Sequence, residues 1–263
     1  MKLLRSELDK VLNDDKSGST ELLLKSIKLI EKNIDELKSV KQIISELKVK
    51  FRSFEIFKEF TGKVDSYTTR NDKEGLKLFL VDFKYHLSNS IKSLYLKNQK
   101  LLDTFNTIIT LSNSRTISDI CRLMKLNGNL KKVYIAESRP KYEGRILARS
   151  LLRSKINVVM FTDFLSAKYL QLSDVVLIGS DKVLSNRNVI NKTGSLNLSI
   201  LAKEFNIPFY VLATKDKFSS VSKYREEKEP PEEVWNYSHS GLKISNSYFE
   251  EVDFKYITKI LID

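Results

Sequence analysis

Up to about residue 105, apolar side chains return every three or four positions along the chain. Leu22, Leu23, Ile27, Leu29, Ile30, Ile34 and Leu37 form one such stripe, the pattern of a helix with one buried face. Residues 12–19 (LNDDKSGS) interrupt two helices, with Ser19 or Thr20 as N-cap. Residues 43–60 and 74–102 repeat the amphipathic pattern. No proline precedes Pro140, so nothing breaks these helices internally. The pattern predicts a bundle of four or five helices.

Beyond residue 105 the pattern switches to short apolar runs separated by helical segments. Residues 106–110 (NTIIT), 132–136 (KVYIA), 157–162 (NVVMFT), 174–179 (DVVLIG) and 208–213 (PFYVLA) read as five strands. Helices are expected around residues 117–124, 143–154, 166–170 and 196–205. Strands alternating with helices at this spacing imply right-handed crossovers and a mostly parallel sheet covered on both faces. The fold class is therefore α/β, with a helical bundle over residues 1–104 and a Rossmann-like sheet domain over residues 105–263.

Ligands of open parallel sheets bind outside the carboxyl ends of the strands. The five predicted strands are followed by Ser112-Asn113-Ser114-Arg115, by Glu137-Ser138-Arg139-Pro140, by Asp163, by Ser180-Asp181-Lys182 and by Thr214-Lys215-Asp216-Lys217. Asn191 and Lys192 come ten residues after Asp181. Cations for a phosphate and carboxylates for hydroxyls suit a phosphorylated polyol.

Charge sharpens this only in part. The net charge is +12, and residues 51–200, with 25 basic and 13 acidic side chains, carry that whole excess. Such a surface favours anionic partners. No helix-turn-helix, zinc finger or aromatic RNA-binding motif is present, so direct nucleic-acid contact is not indicated. One cysteine, Cys121, and two distant histidines, His86 and His239, argue against a disulfide, a structural zinc site or a Ser-His-Asp triad. No apolar run reaches the length of a bilayer span, and the first residues carry acids rather than a signal-peptide core. A cytoplasmic protein without metal or cofactor is expected.

Several segments together resemble one family. Glu137-Ser138-Arg139-Pro140 with Glu143-Gly144-Arg145 is similar to E-[ST]-R-P-x-x-x-G, and Ile178-Gly179-Ser180-Asp181 to V-G-[AS]-D. Residues 189–195 (VINKTGS) are similar to V-V-N-K-x-G-[TS], at the family's ten-residue spacing from the aspartate. Residues 208–211 with Lys217-Phe218 resemble P-F-Y-V...K-F, and residues 256–260 resemble the start of Y-I-T-x-I-I-T-E-x-G. The family comprises the alpha, beta and delta regulatory subunits of translation initiation factor 2B, methylthioribose-1-phosphate isomerase and ribose-1,5-bisphosphate isomerase. The resemblance implies a homodimer through the sheet domain, with a larger ring as a further level of assembly. It also implies the alpha subunit of initiation factor 2 as protein partner.

Within that family the isomerases resemble one another in a T-H-C segment after the first strand, whose cysteine works with the aspartate of G-[AS]-D. Here the matching segment is Thr110-Leu111-Ser112, so Asp181 is present and the cysteine position holds Ser112. A serine is too weak an acid to replace a tuned thiol without a base beside it. The isomerases' R-G-A segment is also replaced, by Ser17-Gly18-Ser19, which is similar to the regulatory subunits. Arg187 stands where the family often has the glycine of A-N-G. No catalytic residue is expected; an isomerase would have to use Asp181 and Ser112. The ligand-binding candidates are Arg139, Glu137, Asp181, Asn191, Lys192 and Lys217, for a sugar phosphate or a nucleoside monophosphate. A phosphometabolite sensor with no part in translation is the remaining alternative.

Overall fold

The structure, a computed structural model, describes residues 2–15 and 17–263, the side chains of Lys2 and Leu3 excepted. Two compact units divide at Lys92 and Ser93, inside the longest helix. The first unit is made of α1 (Lys2–Leu12), α2 (Ser19–Lys32), α3 (Leu37–Lys50), α4 (Glu55–Thr69) and the start of α5 (Lys73–Leu102). Its stripes meet in one core in which Leu23, Ile27, Ile30, Val40, Ile43, Leu47, Phe60, Val64 and Leu76 are completely buried. Each such side chain contributes about 1.5–3 kcal/mol.

Two details differ from expectation. Gly18, not Ser19 or Thr20, takes the N-cap position of α2, and no side chain caps it; Lys16, in the same interruption, lies outside the described residues. The amphipathic run over residues 43–60 is broken between α3 and α4. The turn at residues 51–54 lets Phe51 pack on Phe57 with ring centroids 4.6 Å apart, and Phe51 is buried. Aromatic burial there outweighs helix continuity.

The second unit alternates strands and helices: β1 (Thr107–Thr110), α6 (Arg115–Leu126), β2 (Lys132–Ala136), α7 (Gly144–Arg153), β3 (Asn157–Phe161), α8 (Ser166–Leu170) and β4 (Val175–Ile178). Then follow β5 (Lys182–Val183), β6 (Val189–Lys192), α9 (Ser195–Glu204), β7 (Phe209–Ala213), β8 (Phe249–Val252) and β9 (Lys259–Ile262). A six-stranded sheet has the order β3-β2-β1-β4-β7-β9, and each neighbouring pair is parallel. This is a doubly wound arrangement, and its order reverses between β1 and β4.

The pattern of apolar runs predicts five strands; the sheet has a sixth, β9, and a second, antiparallel sheet has the order β5-β6-β8. The VINK segment thus forms a strand of its own. Its four residues are all buried, so the alternation that marks a half-exposed strand is absent. No helix among the described residues is long and apolar enough to cross a membrane.

Two glycines bring the carboxyl ends of the strands close to their neighbours. A Cβ on Gly144, the first residue of α7, would lie 2.0 Å from the Ala136 carbonyl oxygen at the end of β2. One on Gly179, just after β4, would lie 2.5 Å from Ser114 Oγ. Ser114 is the N-cap of α6 and accepts from the Ile117 N–H. The β4 loop therefore presses directly against the β1–α6 turn, where the strand order reverses.

Candidate functional site

The carboxyl ends of β1, β2 and β3 are tied into one frame. After β1, the Ser112 N–H donates to Ser138 Oγ at 2.7 Å. After β2, the N–H groups of Ser138 and Arg139 donate to the two oxygens of Asp163, each at 2.8 Å. Ser112, Ser138 and Tyr142 hold φ values of 64°, 62° and 59°. A non-glycine residue in this left-handed region costs roughly 1–2 kcal/mol, and such strain persists only where the surroundings over-determine it. Here the Asp163 carboxylate and the Ser138 hydroxyl provide that constraint.

Three polar oxygens at neighbouring strand ends are buried without a hydrogen-bond partner: Thr110 Oγ1 at the end of β1, Ser180 Oγ after β4 and Asp216 Oδ2 after β7. These strands lie side by side in the sheet. An unsatisfied buried group costs about 1–3 kcal/mol, so three on one edge make a polar ligand a natural complement.

Around this edge the candidate side chains divide into pairs. Lys192, 3 % exposed, and Glu143, 6 % exposed, form an ion pair at 2.5 Å. Lys192 is therefore held by Glu143. Its ammonium also lies 4.7 Å from the Tyr248 ring centroid. Asn191 donates to Ser195 Oγ at 2.8 Å. Asp181 begins the β5–β6 hairpin, its N–H donating to the Ile190 carbonyl, so Asp181, Asn191 and Lys192 share one short piece of backbone. Lys217 is buried in the turn after β7.

Arg139 and Glu137 occupy the other side. Arg145 donates to Glu137 at 3.3 Å and lies 3.9 Å from the Tyr142 ring centroid. Arg139 also stacks near that ring, at 5.1 Å, and donates to the Tyr142 hydroxyl and to the Val234 carbonyl. Arg139 lines a cavity of about 360 Å³ together with Thr193, Glu226, Val234, Asn246 and Glu250. Asp181, Asn191, Lys192 and Lys217 do not line that cavity.

Three carboxylates organise the site although none was a ligand-binding candidate. Glu143 holds Lys192. Glu250 accepts from the N–H groups of Gly194 and Leu196, both at 2.7 Å, at the start of α9. Burial pushes its carboxyl above the ordinary value, against the lowering effect of these amides and that of Ser195. Glu233 pairs with Lys141 at 2.6 Å and accepts from the Tyr248 hydroxyl and from Asn246. Burial alone would raise the Glu233 carboxyl; the bonds from Lys141, Tyr248 and Asn246 outweigh burial and hold it below its ordinary value. Only Glu143 had a local signal, its place just before the Gly144 close approach. Cys121 is fully buried in α6, and burial pushes its thiol up to about 12.

A family model described as the initiation factor 2 subunit family matches residues 4–263. The chain belongs to that family. This family member is 31% identical over 195 residues to a Pyrococcus furiosus protein named translation initiation factor eIF-2B subunit 2-like, covering 73% of this chain and 69% of that one. It is 36% identical over 148 residues to the methylthioribose-1-phosphate isomerase of Carboxydothermus hydrogenoformans, covering 52% of this chain and 43% of the isomerase. In fold it is similar to the crystal structure of the Pyrococcus horikoshii translation initiation factor eIF-2B. The TM-score is 0.81 at 23% identity, over 99% of this chain and 95% of that one.

Proposed function

We propose that this family member is a noncatalytic regulatory protein of the initiation factor 2B kind that senses a phosphorylated small molecule at the carboxyl edge of its parallel sheet. One observation carries the reading: the edge keeps three buried, unpartnered oxygens on adjacent strand ends, while the position matching the isomerases' cysteine is Ser112. A ligand hydroxyl can satisfy those oxygens, and no thiol stands there to move a proton between carbons. Asp181, Asn191 and Lys217 are the contacts we assign to a sugar phosphate or nucleoside monophosphate, with Arg139 and Glu137 at the margin and Lys192 positioned by Glu143.

The partners that go with this reading are a second copy of the chain and the alpha subunit of initiation factor 2. A tetrameric eIF2B-beta2-delta2 complex from C. thermophilum, built of two kinds of subunit, has a related fold, with a TM-score of 0.75 at 15% identity, and this reading takes assembly through the shared fold as its working form. The second reading is a sugar-phosphate isomerase using Asp181 and Ser112, and the identity to methylthioribose-1-phosphate isomerase favours it.

Incubation with ribose 1,5-bisphosphate and with methylthioribose 1-phosphate decides between them. The regulatory reading expects a raised melting temperature and no ketose product; a ligand at a hundredfold excess over Kd stabilises by about 2.7 kcal/mol. Turnover that disappears in Asp181→Asn would establish the isomerase instead. Absence of any thermal shift with sugar phosphates and nucleoside monophosphates would remove the ligand from the proposal.

A further inference from the structure

Residues 115–155 hold eleven Lys and Arg against three Asp and Glu, a net +8 out of the chain's +12. Two of those three acids are already paired. Glu143 is buried on Lys192, and Glu137 pairs with Arg145. Asp119 is the one acid on either α6 or α7, and it is shared by Arg115 at 3.3 Å and Arg122 at 2.6 Å.

The two helices lie side by side through small hydroxyls. Ser118 and Ser150 approach to 3.2 Å. Arg122 of α6 reaches across to α7, donating to Ser150 Oγ at 2.7 Å and to Ser154 Oγ at 3.0 Å. This lays its guanidinium along the groove between the helices. On α7, Arg145, Arg149 and Arg153 are exposed and recur every four residues, about 6 Å apart along one helix face. Arg149 and Arg153 make no ion pair or hydrogen bond among the described residues. Folding gains nothing from them, and like charges gathered on one face oppose it.

We infer that this α6–α7 face binds duplex nucleic acid through its phosphate backbone, without reading bases. Guanidinium forks and hydroxyls are the donors that position phosphates. Neither helix carries an aromatic residue, so there is no platform on which unpaired bases could stack. Leu126 and Leu152 are the large apolar residues exposed on these helices, too few for the apolar centre that a protein interface needs. A second copy of the chain is disfavoured by charge, since the +2 of α6 and the +3 of α7 would meet the same +5. No linear motif announces the site because its arginines come from two helices separated by β2.

The test is fluorescence anisotropy of the full chain with a labelled 20-base-pair DNA duplex, titrated across salt concentrations. The double variant Arg149→Ser/Arg153→Ser removes two exposed, unpaired side chains. It should weaken binding at least tenfold and lower the slope of log K against log salt by about 2, at roughly 0.9 per phosphate contact. Lys58→Ser/Lys63→Ser, an equal charge loss in the helical unit, should leave both unchanged. Equal weakening by the two double variants would overturn the inference, because it would mean that net charge alone drives binding. So would displacement of the duplex by polyglutamate at equal charge concentration, the behaviour of a face made for acidic protein. The sugar-phosphate thermal shift should be the same in the arginine variant, which keeps this test separate from the ligand reading.

Discussion

In the helical unit, the buried hydroxyls of Ser26, Thr61 and Thr68 each donate to a main-chain carbonyl three or four residues earlier, at 2.9, 2.7 and 3.0 Å. At the carboxyl edge of the sheet, Thr110, Ser180 and Asp216 bury oxygens that find no such partner, and Lys192, Glu143 and Lys217 bring charge into the interior. The same cost of burying polar groups is thus met locally in one region and left open in the other. A helix always offers a nearby carbonyl to a hydroxyl. A strand end has no equivalent, so its polar groups depend on loops from other strands or on a ligand.

The contrast is tested most severely at the Lys192–Glu143 pair. Lys192→Met should destabilise the protein by about 3–5 kcal/mol, because it leaves a buried carboxylate uncompensated. Adding Glu143→Leu should restore most of that loss in urea unfolding. If the single variant unfolds no more easily than the native chain, the edge is wetter than its burial indicates. The pairing itself was not legible along the chain. Lys192 and Glu143 are separated by 49 residues, and nothing in either local segment states that β6 faces the start of α7.

Two isosteric changes should move stability in opposite directions. Thr61→Val deletes a satisfied bond in the helical unit and should cost about 1 kcal/mol. Thr110→Val deletes an unsatisfied oxygen and should stabilise the unliganded protein by up to about 1 kcal/mol, while reducing the thermal shift by sugar phosphate. Loss of stability in both variants would mean that Thr110 Oγ1 is satisfied in solution.

A smaller effect is expected from acid. Glu233 is held below its ordinary value of 4.5, so it contributes stability above that value and loses it as pH falls through the folded-state value. The melting temperature should fall below about pH 4.5, and Glu233→Gln should flatten that part of the profile. An unchanged profile would show that Lys141 and Tyr248 do not hold the carboxylate. Smallest of all, Cys121 should resist thiol reagents in the native protein and react on unfolding, since burial raises its thiol to about 12. Rapid modification under native conditions would mean that α6 opens.

By itself the chain determined the local periods. Three- and four-residue recurrence placed the helices, short apolar runs placed five strands, and their alternation implied a parallel sheet with its chemistry at the carboxyl ends. The motifs at those ends carried the family, and Ser112 carried the question of catalysis. Only the tertiary structure decided what those residues meet. A strand buried on both faces has no alternation to read, so β6 and its sheet stayed hidden. Ion pairs such as Lys192–Glu143 join segments far apart in sequence. The arginines of α6 and α7 become one face only because parallel crossovers lay the two helices side by side.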